Sequence, residues 1–346
     1  MSNQPLYQSQ MKSMTDAINR KPNLVACIQA FNEQDFIGLN LQNHFDVFDR
    51  IIVIEGSVGQ RADATSDGHS TDLTASAIKD FKEKHDNGHL KKMMFLSIKR
   101  AWKSLEEIKN TFLQMASPHD IICIIDADEF YQPQDIERIR IAADRYPHII
   151  SFQPTMLHLY RDFAHIYTPG PEWGSQHERC YRFLPGMKYD SHPVVSDKNG
   201  RSLYFSPEYI TRRASINNLF IWHYGYSRSN MKDVMARKLQ YYRSELAKHG
   251  DAVAKFEAKY NEFMNGTESP ESILAVSADD QPSIMRQHLM FGYKDPLYDG
   301  KSYKNWLDHA LYGKVARGEP HELVWNCMKG LSSPYMNYFS NEVTIS

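Results

Sequence analysis

The stretch IICIIDADEFY, residues 121–131, sets the tightest limit on what this chain can fold into. Ile121, Ile122, Ile124 and Ile125 form an apolar, β-branched run broken only by Cys123. A strand made from it has no polar face to turn to water, so it belongs inside a parallel sheet covered on both sides. Asp126, Asp128 and Glu129 follow where that strand must leave the sheet. Like charges so close repel one another unless a cation or another positive partner neutralises them.

Three earlier runs share this texture: NLVACIQAFNE (23–33), RIIVIEGS (50–57) and KMMFLSIK (92–99). Helical spacing lies between them in QDFIGLNLQNHFDVF (34–48), over about 73–86, where Ser70 or Asp72 is the expected N-cap, and in SLEEIKNTFLQMA (104–116). Residues 58–72 are a loop by composition. Fully apolar strands alternating with helices predict an α/β fold: a mostly parallel sheet with helices on both faces. After Tyr131 a helix in DIERIRIAADRYP precedes the strand-like HIISFQPTMLHLY and RCYRFLPGMKY, with the irregular loop TPGPEWGSQHE (168–178) between them. From about 230 onward helices dominate, in NMKDVMARKLQYYRSELAKHG, AVAKFEAKYNEFMNG and SYKNWLDHALYG. The expected organisation is an N-terminal arm over 1–22, an α/β domain over 23–245 and a helical region over 246–346.

The 346 residues carry a formal net charge of −2, which argues against nucleic acid or an anionic membrane as a partner. No window approaches the roughly 18 apolar residues of a membrane span, and the first residues lack the apolar core of a signal peptide. Cys27, Cys123, Cys180 and Cys327 form no CxxC pair and read as buried free thiols. A cytoplasmic setting is expected, with a peripheral place at the inner membrane face as its variant.

Open parallel sheets bind ligands outside the carboxyl ends of their strands. Asn32 and Glu33, Glu55, and the Asp126–Glu129 cluster all fall at that edge. On an extended chain the Asp-x-Asp spacing puts Asp126 and Asp128 on one side, where both can address one hard cation, Mn²⁺ or Mg²⁺. Repulsion between these carboxylates predicts that Asp128→Asn leaves the melting temperature unchanged or higher.

These residues also resemble a family. DGHSTDLTASAIKDF (67–81) resembles the DGSTDGT…A helix start of family 2 glycosyltransferases. EIKNTFLQMASPHDIICIIDADEF resembles their ARNxGLxxAxGxYIxFLDADD block, with Lys109-Asn110 in the Arg-Asn place, and ACIQAFNEQDFI looks like their first strand with its Asn-Glu signature. The likeness covers residues 23–131. FIWHYGYSRSNMKDVMARKLQYY (220–242) extends it, being similar to a His-Tyr-Gly segment before a Lys-containing helix in related bacterial members.

The resemblance implies a GT-A fold and sugar transfer from a nucleotide diphosphate sugar, a UDP-sugar favoured, to a hydroxyl acceptor on a glycan, a lipid-linked species or another molecule. Carried over, Ala30, Asn32, Glu33, Glu55, Lys109, Asp126 and Ala127 would bind the nucleotide sugar, with Glu55 facing the nucleoside. Asp126, Asp128 and His223 would hold Mn²⁺ or Mg²⁺, and a free imidazole at His223 would titrate near its usual value of roughly 6.5. Inverting transfer needs a base for the acceptor hydroxyl. Glu172, Glu178 and Asp190 are the candidates, Glu178 ahead. His192 is weighed as a second ligand, Trp173 as a sugar platform, Trp222 as core, and Arg212 with Arg213 as a phosphate contact or a solvated face. The pattern departs from the family at EGS (55–57) and in some ten residues inserted before DGHSTD. Rival readings are a nucleotidyltransferase, which lacks its Gly-rich loop here, an aspartyl-nucleophile phosphatase, whose motif ends a first strand and not a fourth, and a non-catalytic nucleotide-sugar or protein binding module.

Overall fold

The apolar runs become strands β1 (Asn23–Ala30), β2 (Arg50–Glu55), β3 (Met93–Ser97) and β4 (Asp120–Asp126). They lie side by side and parallel, β1 between β2 and β4, and β3 outside β2. The computed structural model describes residues 21–308 apart from 89–90, 119, 169–178, 191–193, 204–205, 211 and 246–249, together with 323–324.

Alternation along β1 divides the core in two. Leu24, Ala26 and Ile28 pack with Ile37 and Leu41 of the helix Ile37–Phe45, Ile78 of Thr74–His85, and Ile136 and Ile139 of Pro133–Arg145. Val25 and Cys27 face the other way, onto Ile108 and Phe112 of the helix Leu105–Gln114. Side chains of a strand alternate between faces, so a strand apolar at every position is what a doubly covered sheet requires. The α/β class, the mostly parallel sheet and the helices on both faces are those expected of a GT-A architecture. The helix Thr74–His85 has Leu73, and neither Ser70 nor Asp72, at its cap position; Asp72, one residue earlier, accepts a hydrogen bond from the Thr74 amide at 2.9 Å.

The second half of the sheet is mixed. β5 (Glu129–Phe130) is short, and β6 (Ser151–Tyr160) and β7 (His165–Tyr167) are antiparallel neighbours. β8 (Cys180–Arg182) runs antiparallel between β4 and β6. The expected strand over 179–189 is thus split, because β9 (Lys188–Tyr189) pairs separately with β10 (Val195–Ser196). β11 (Arg213–Tyr226) runs parallel to β6 and antiparallel to β5. Pro154 has no amide to give to this ladder, and the β6–β11 register shifts across it, between Ser215 and Phe220.

Past 230 the helices Met231–Glu245 and Gly250–Asn265 appear, and then β12 (Ile273–Ala275) joins β7 at the sheet edge. Of SYKNWLDHALYG only a single short turn, Trp306–Asp308, lies in the described residues, and β13 (Leu323–Val324) pairs with β11. Among the described residues no helix is long and apolar enough to cross a membrane. Cys27, Cys123 and Cys180 are buried free thiols, and Cys327 lies outside the described residues. Since β1, β4, β6 and β11 all point the same way, their carboxyl ends share one edge.

Candidate active site

The acidic segment leaves β4 as a turn. Ala127 and Asp128 are turn residues, so the period-two argument that placed both aspartates on one side of an extended chain does not apply. The turn is fastened from every side. The Ala127 amide donates to the Gln29 carbonyl at 3.2 Å, and the Tyr224 amide donates to the Asp128 carbonyl at 2.9 Å. From the neighbouring helix, Asn40 donates to the Glu129 carbonyl at 2.8 Å and Asn43 to the Tyr131 carbonyl at 2.9 Å. The Glu129 carboxylate accepts from the Asp126 amide at 3.0 Å. The Asp126 side chain is 42% exposed, whereas that of Asp128 is 8% exposed.

Each aspartate has its own arginine. Arg179, just before β8, lies 3.1 Å from Asp126 Oδ2 and also pairs with Glu129. Arg228, just beyond β11, lies 2.6 Å from Asp128 Oδ2 and 2.8 Å from Glu33 Oε2. Burial pushes the Glu33 and Glu129 carboxyls up, and Arg228 and Arg179 pull against that rise. Burial acts the same way on Asp128, but His223, Arg228 and Lys238 outweigh it and hold its carboxyl below the ordinary range. Lys109 is buried on the helix Leu105–Gln114, and burial, then Arg179, bring its ammonium down to about 8.

His223 stands opposite His158 on β6 and Glu129 on β5. Its Nδ1 is 2.8 Å from Nδ1 of His158, so at least one ring donates a proton there. Its Nε2 is 3.7 Å from Asp128 Oδ1. Burial brings the imidazole down to about 4, with Asp128 opposing, which corrects the value near 6.5 expected of a free ring. Gly225 leaves room beside the pair: a Cβ there would lie 2.5 Å from His223 Nε2 and 2.7 Å from Asp128 Oδ2.

These two donors fit a divalent cation in part. One oxygen and one nitrogen 3.7 Å apart can both reach an ion at bonds of about 2.1 Å. Among the described residues no three His, Cys, Asp or Glu side chains are grouped to hold an ion. Protein and substrate oxygens together would have to complete the shell.

The remaining expected residues fall in different places. Asn32 takes a left-handed backbone (φ 54) and spends its amide on the 63–71 loop, donating to the Asp63 carbonyl and accepting from the Thr71 amide. Glu55 is fully buried and accepts from the Ser70 amide at 2.6 Å, with His69 Nδ1 and Ser97 Oγ at 3.0 Å. Burial pushes its carboxyl up, but these bonds bring it below its usual range. Its carboxylate thus anchors the 69–70 stretch of the loop and Ser97. Ala30 and Ala127 are buried at the ends of β1 and β4. Asp190 is exposed and paired with Lys188 at 2.7 Å. Glu172, Trp173, Glu178 and His192 lie outside the described residues. Trp222 is in the core, and Arg212 donates to the His148 carbonyl at the opposite edge of the sheet. Sequence reasoning missed His158, Arg179 and Arg228. Only Arg228 had a local signal, following closely on the HYGY segment.

No family model matches the chain, and no curated protein matches it. Solved structures similar to it include a mannosyltransferase of Pyrobaculum calidifontis in complex with GDP-Man and Mn²⁺, at 16% identity over 70% of each chain with a TM-score of 0.40. TarS 1-349 of S. aureus is similar at 12% identity over 70% of this chain and 71% of that one, TM-score 0.37. Glucosyl-3-phosphoglycerate synthase of Mycobacterium tuberculosis, in complex with Mn²⁺, UDP and glucosyl-3-phosphoglycerate, matches 41% of this chain and 46% of its own, with 15% identity and a TM-score of 0.30. Likenesses this distant do not decide an activity.

Proposed function

We propose that this chain is a glycosyltransferase that moves a sugar from a nucleoside diphosphate sugar, a UDP-sugar favoured, to a hydroxyl acceptor with inversion. One observation carries the reading: Glu33, Asp128 and His223, from the ends of β1, β4 and β11, meet at the carboxyl edge of the sheet with Arg228 among them. That edge is where open parallel sheets take nucleotides. Asp128 and His223 would hold Mn²⁺ or Mg²⁺. A bound divalent ion would supply electrostatic stabilisation of the negative charge left on the departing diphosphate. Arg228 and Lys238 add positive charge near the same anion, and Asp126, more open to water, suits the ribose or an outer ligand.

The acceptor hydroxyl must lose its proton. Glu178 is the base favoured for this step, with Glu172 and Asp190 as the other candidates. The deciding experiment is release of nucleoside diphosphate from UDP-, GDP- and dTDP-sugars with and without Mn²⁺. Mn²⁺-dependent release supports the reading. Tight, metal-independent binding of a donor without turnover would establish a binding module in its place.

A further inference from the structure

Asp128 already has a cation. The Arg228 guanidinium lies 2.6 Å from Asp128 Oδ2 and reaches Glu33 at 2.8 Å, and its side chain is only 6% exposed. Phe36 lies under it, 4.8 Å from ring to guanidinium. A charge-assisted pair enclosed in this way is strong, and it holds Oδ2 of the same carboxylate whose Oδ1, facing His223, the functional reading gives to a divalent ion. The pair on the other aspartate differs, because Asp126 is open to water and Arg179 is held chiefly by buried Glu129.

Arg228 is also incompletely satisfied. Its Nε is buried without a hydrogen-bond partner among the described residues, so the guanidinium has a donor left for a further acceptor. A divalent ion on Asp128 would set two positive charges against each other in a poorly screened space. The guanidinium then gains by turning to a new anion, and the diphosphate of a donor is the anion that arrives at this edge.

We propose that Arg228 is an exchangeable counter-ion: it neutralises Asp128 and Glu33 in the free protein and passes to the diphosphate when a divalent cation takes Asp128. The inference rests on the glycosyltransferase reading of the site. It makes cation and nucleotide mutually dependent, since each removes a cost that the other would face alone, and such coupling is reciprocal.

The test measures Mn²⁺ binding to the full-length protein by the loss of its free electron paramagnetic resonance signal, with and without UDP or GDP. Wild type should bind Mn²⁺ weakly alone and about tenfold or more tightly with the matching nucleoside diphosphate. Arg228→Gln should bind Mn²⁺ alone about tenfold more tightly than wild type, and the added nucleotide should then improve it by no more than about threefold. Mn²⁺ should also raise the melting temperature of Arg228→Gln more than that of wild type. If Arg228→Gln does not fold, Arg228→Lys decides, because it keeps the charge without the fork that spans two carboxylates, and its Mn²⁺ affinity should again exceed that of wild type. Folded variants with wild-type Mn²⁺ affinity and undiminished coupling overturn the exchange alone. Wild type that takes up neither Mn²⁺ nor nucleotide overturns the functional reading, and the exchange with it.

Discussion

Gly225 stands where a side chain cannot. Its Cβ would meet His223 Nε2 at 2.5 Å and Asp128 Oδ2 at 2.7 Å, and neither neighbour is free to retreat. His158 holds Nδ1 of the ring and Arg228 holds Oδ2 of the carboxylate. Gly225→Ala should therefore separate the two donors, lowering Mn²⁺-dependent nucleotide affinity by about tenfold or more while costing about 1–3 kcal/mol of stability. Calorimetric titration beside urea unfolding would show it, and unchanged affinity would remove the pair from the site. Asp128→Asn should abolish the same binding, and it should also destabilise. The expectation of a neutral or raised melting temperature assumed uncompensated carboxylates. Arg228 already neutralises Asp128, so replacing it weakens a buried pair, at about 1–3 kcal/mol. A melting temperature at or above that of wild type would contradict this.

The helix Ile37–Phe45 works as a fastening for the acidic turn. Its apolar residues sit in the core, while Asn40 and Asn43 hold the carbonyls of Glu129 and Tyr131. Asn40→Ala should leave the buried Glu129 carbonyl and His44 Nδ1 without these partners, at about 1–3 kcal/mol, and should weaken nucleotide binding although Asn40 is itself fully buried. Denaturant midpoints and the titration above would separate the two effects, and a purely thermodynamic loss would make the helix structural only. The helix itself was legible, because Phe36, Leu39 and Asn43–Phe45 fall on successive turns. Its polar task was not, since nothing local tells a buried asparagine from a solvated one. The same limit hid Arg179, a single charge outside any periodic run whose partner lies 50 residues away; Arg228 follows HYGY, but its partner Asp128, 100 residues away, was not legible. The Asp-x-Asp geometry misled for a related reason: spacing predicts a shared side only while the chain stays extended, and here it turns.

Across the whole molecule, the repeating half from β1 to β4 was readable because each strand is apolar throughout. In the mixed half β6 and β8 were readable as the strand-like HIISFQPTMLHLY and RCYRFLPGMKY, but β12 is three residues long and finds its place only through distant pairing. Acid stability is also a property of this scale. His44 is fully buried, Asn40 takes its Nδ1, and burial brings its ring down to about 3. The unfolded chain takes up a proton first, so the stability tied to the neutral ring is complete above about 6.5 and drains as pH falls toward 3. Asp135, raised to about 6 mainly by burial, works in the opposite sense, so the informative quantity is a difference between proteins. Below pH 6.5 wild type should lose up to about 1.4 kcal/mol per pH unit relative to His44→Gln, read from urea midpoints between pH 7 and 4. Parallel curves would show that His44 is not the group responsible.

The placing of β11 has a consequence in time. β1 to β4 and the acidic turn are complete by residue 131, but the strand that pairs with both β6 and β5 begins only at Arg213. A nascent chain that has emerged only that far carries Asp126, Asp128 and Glu129 on a finished strand end, with Arg179, His223 and Arg228 still unmade. Its β6, once formed, waits with a bare edge for a partner some fifty residues downstream. Such an edge can pair with the wrong chain, and distant pairing is slow. The charge balance of the site is thus complete only when the second half of the sheet has formed beside the first.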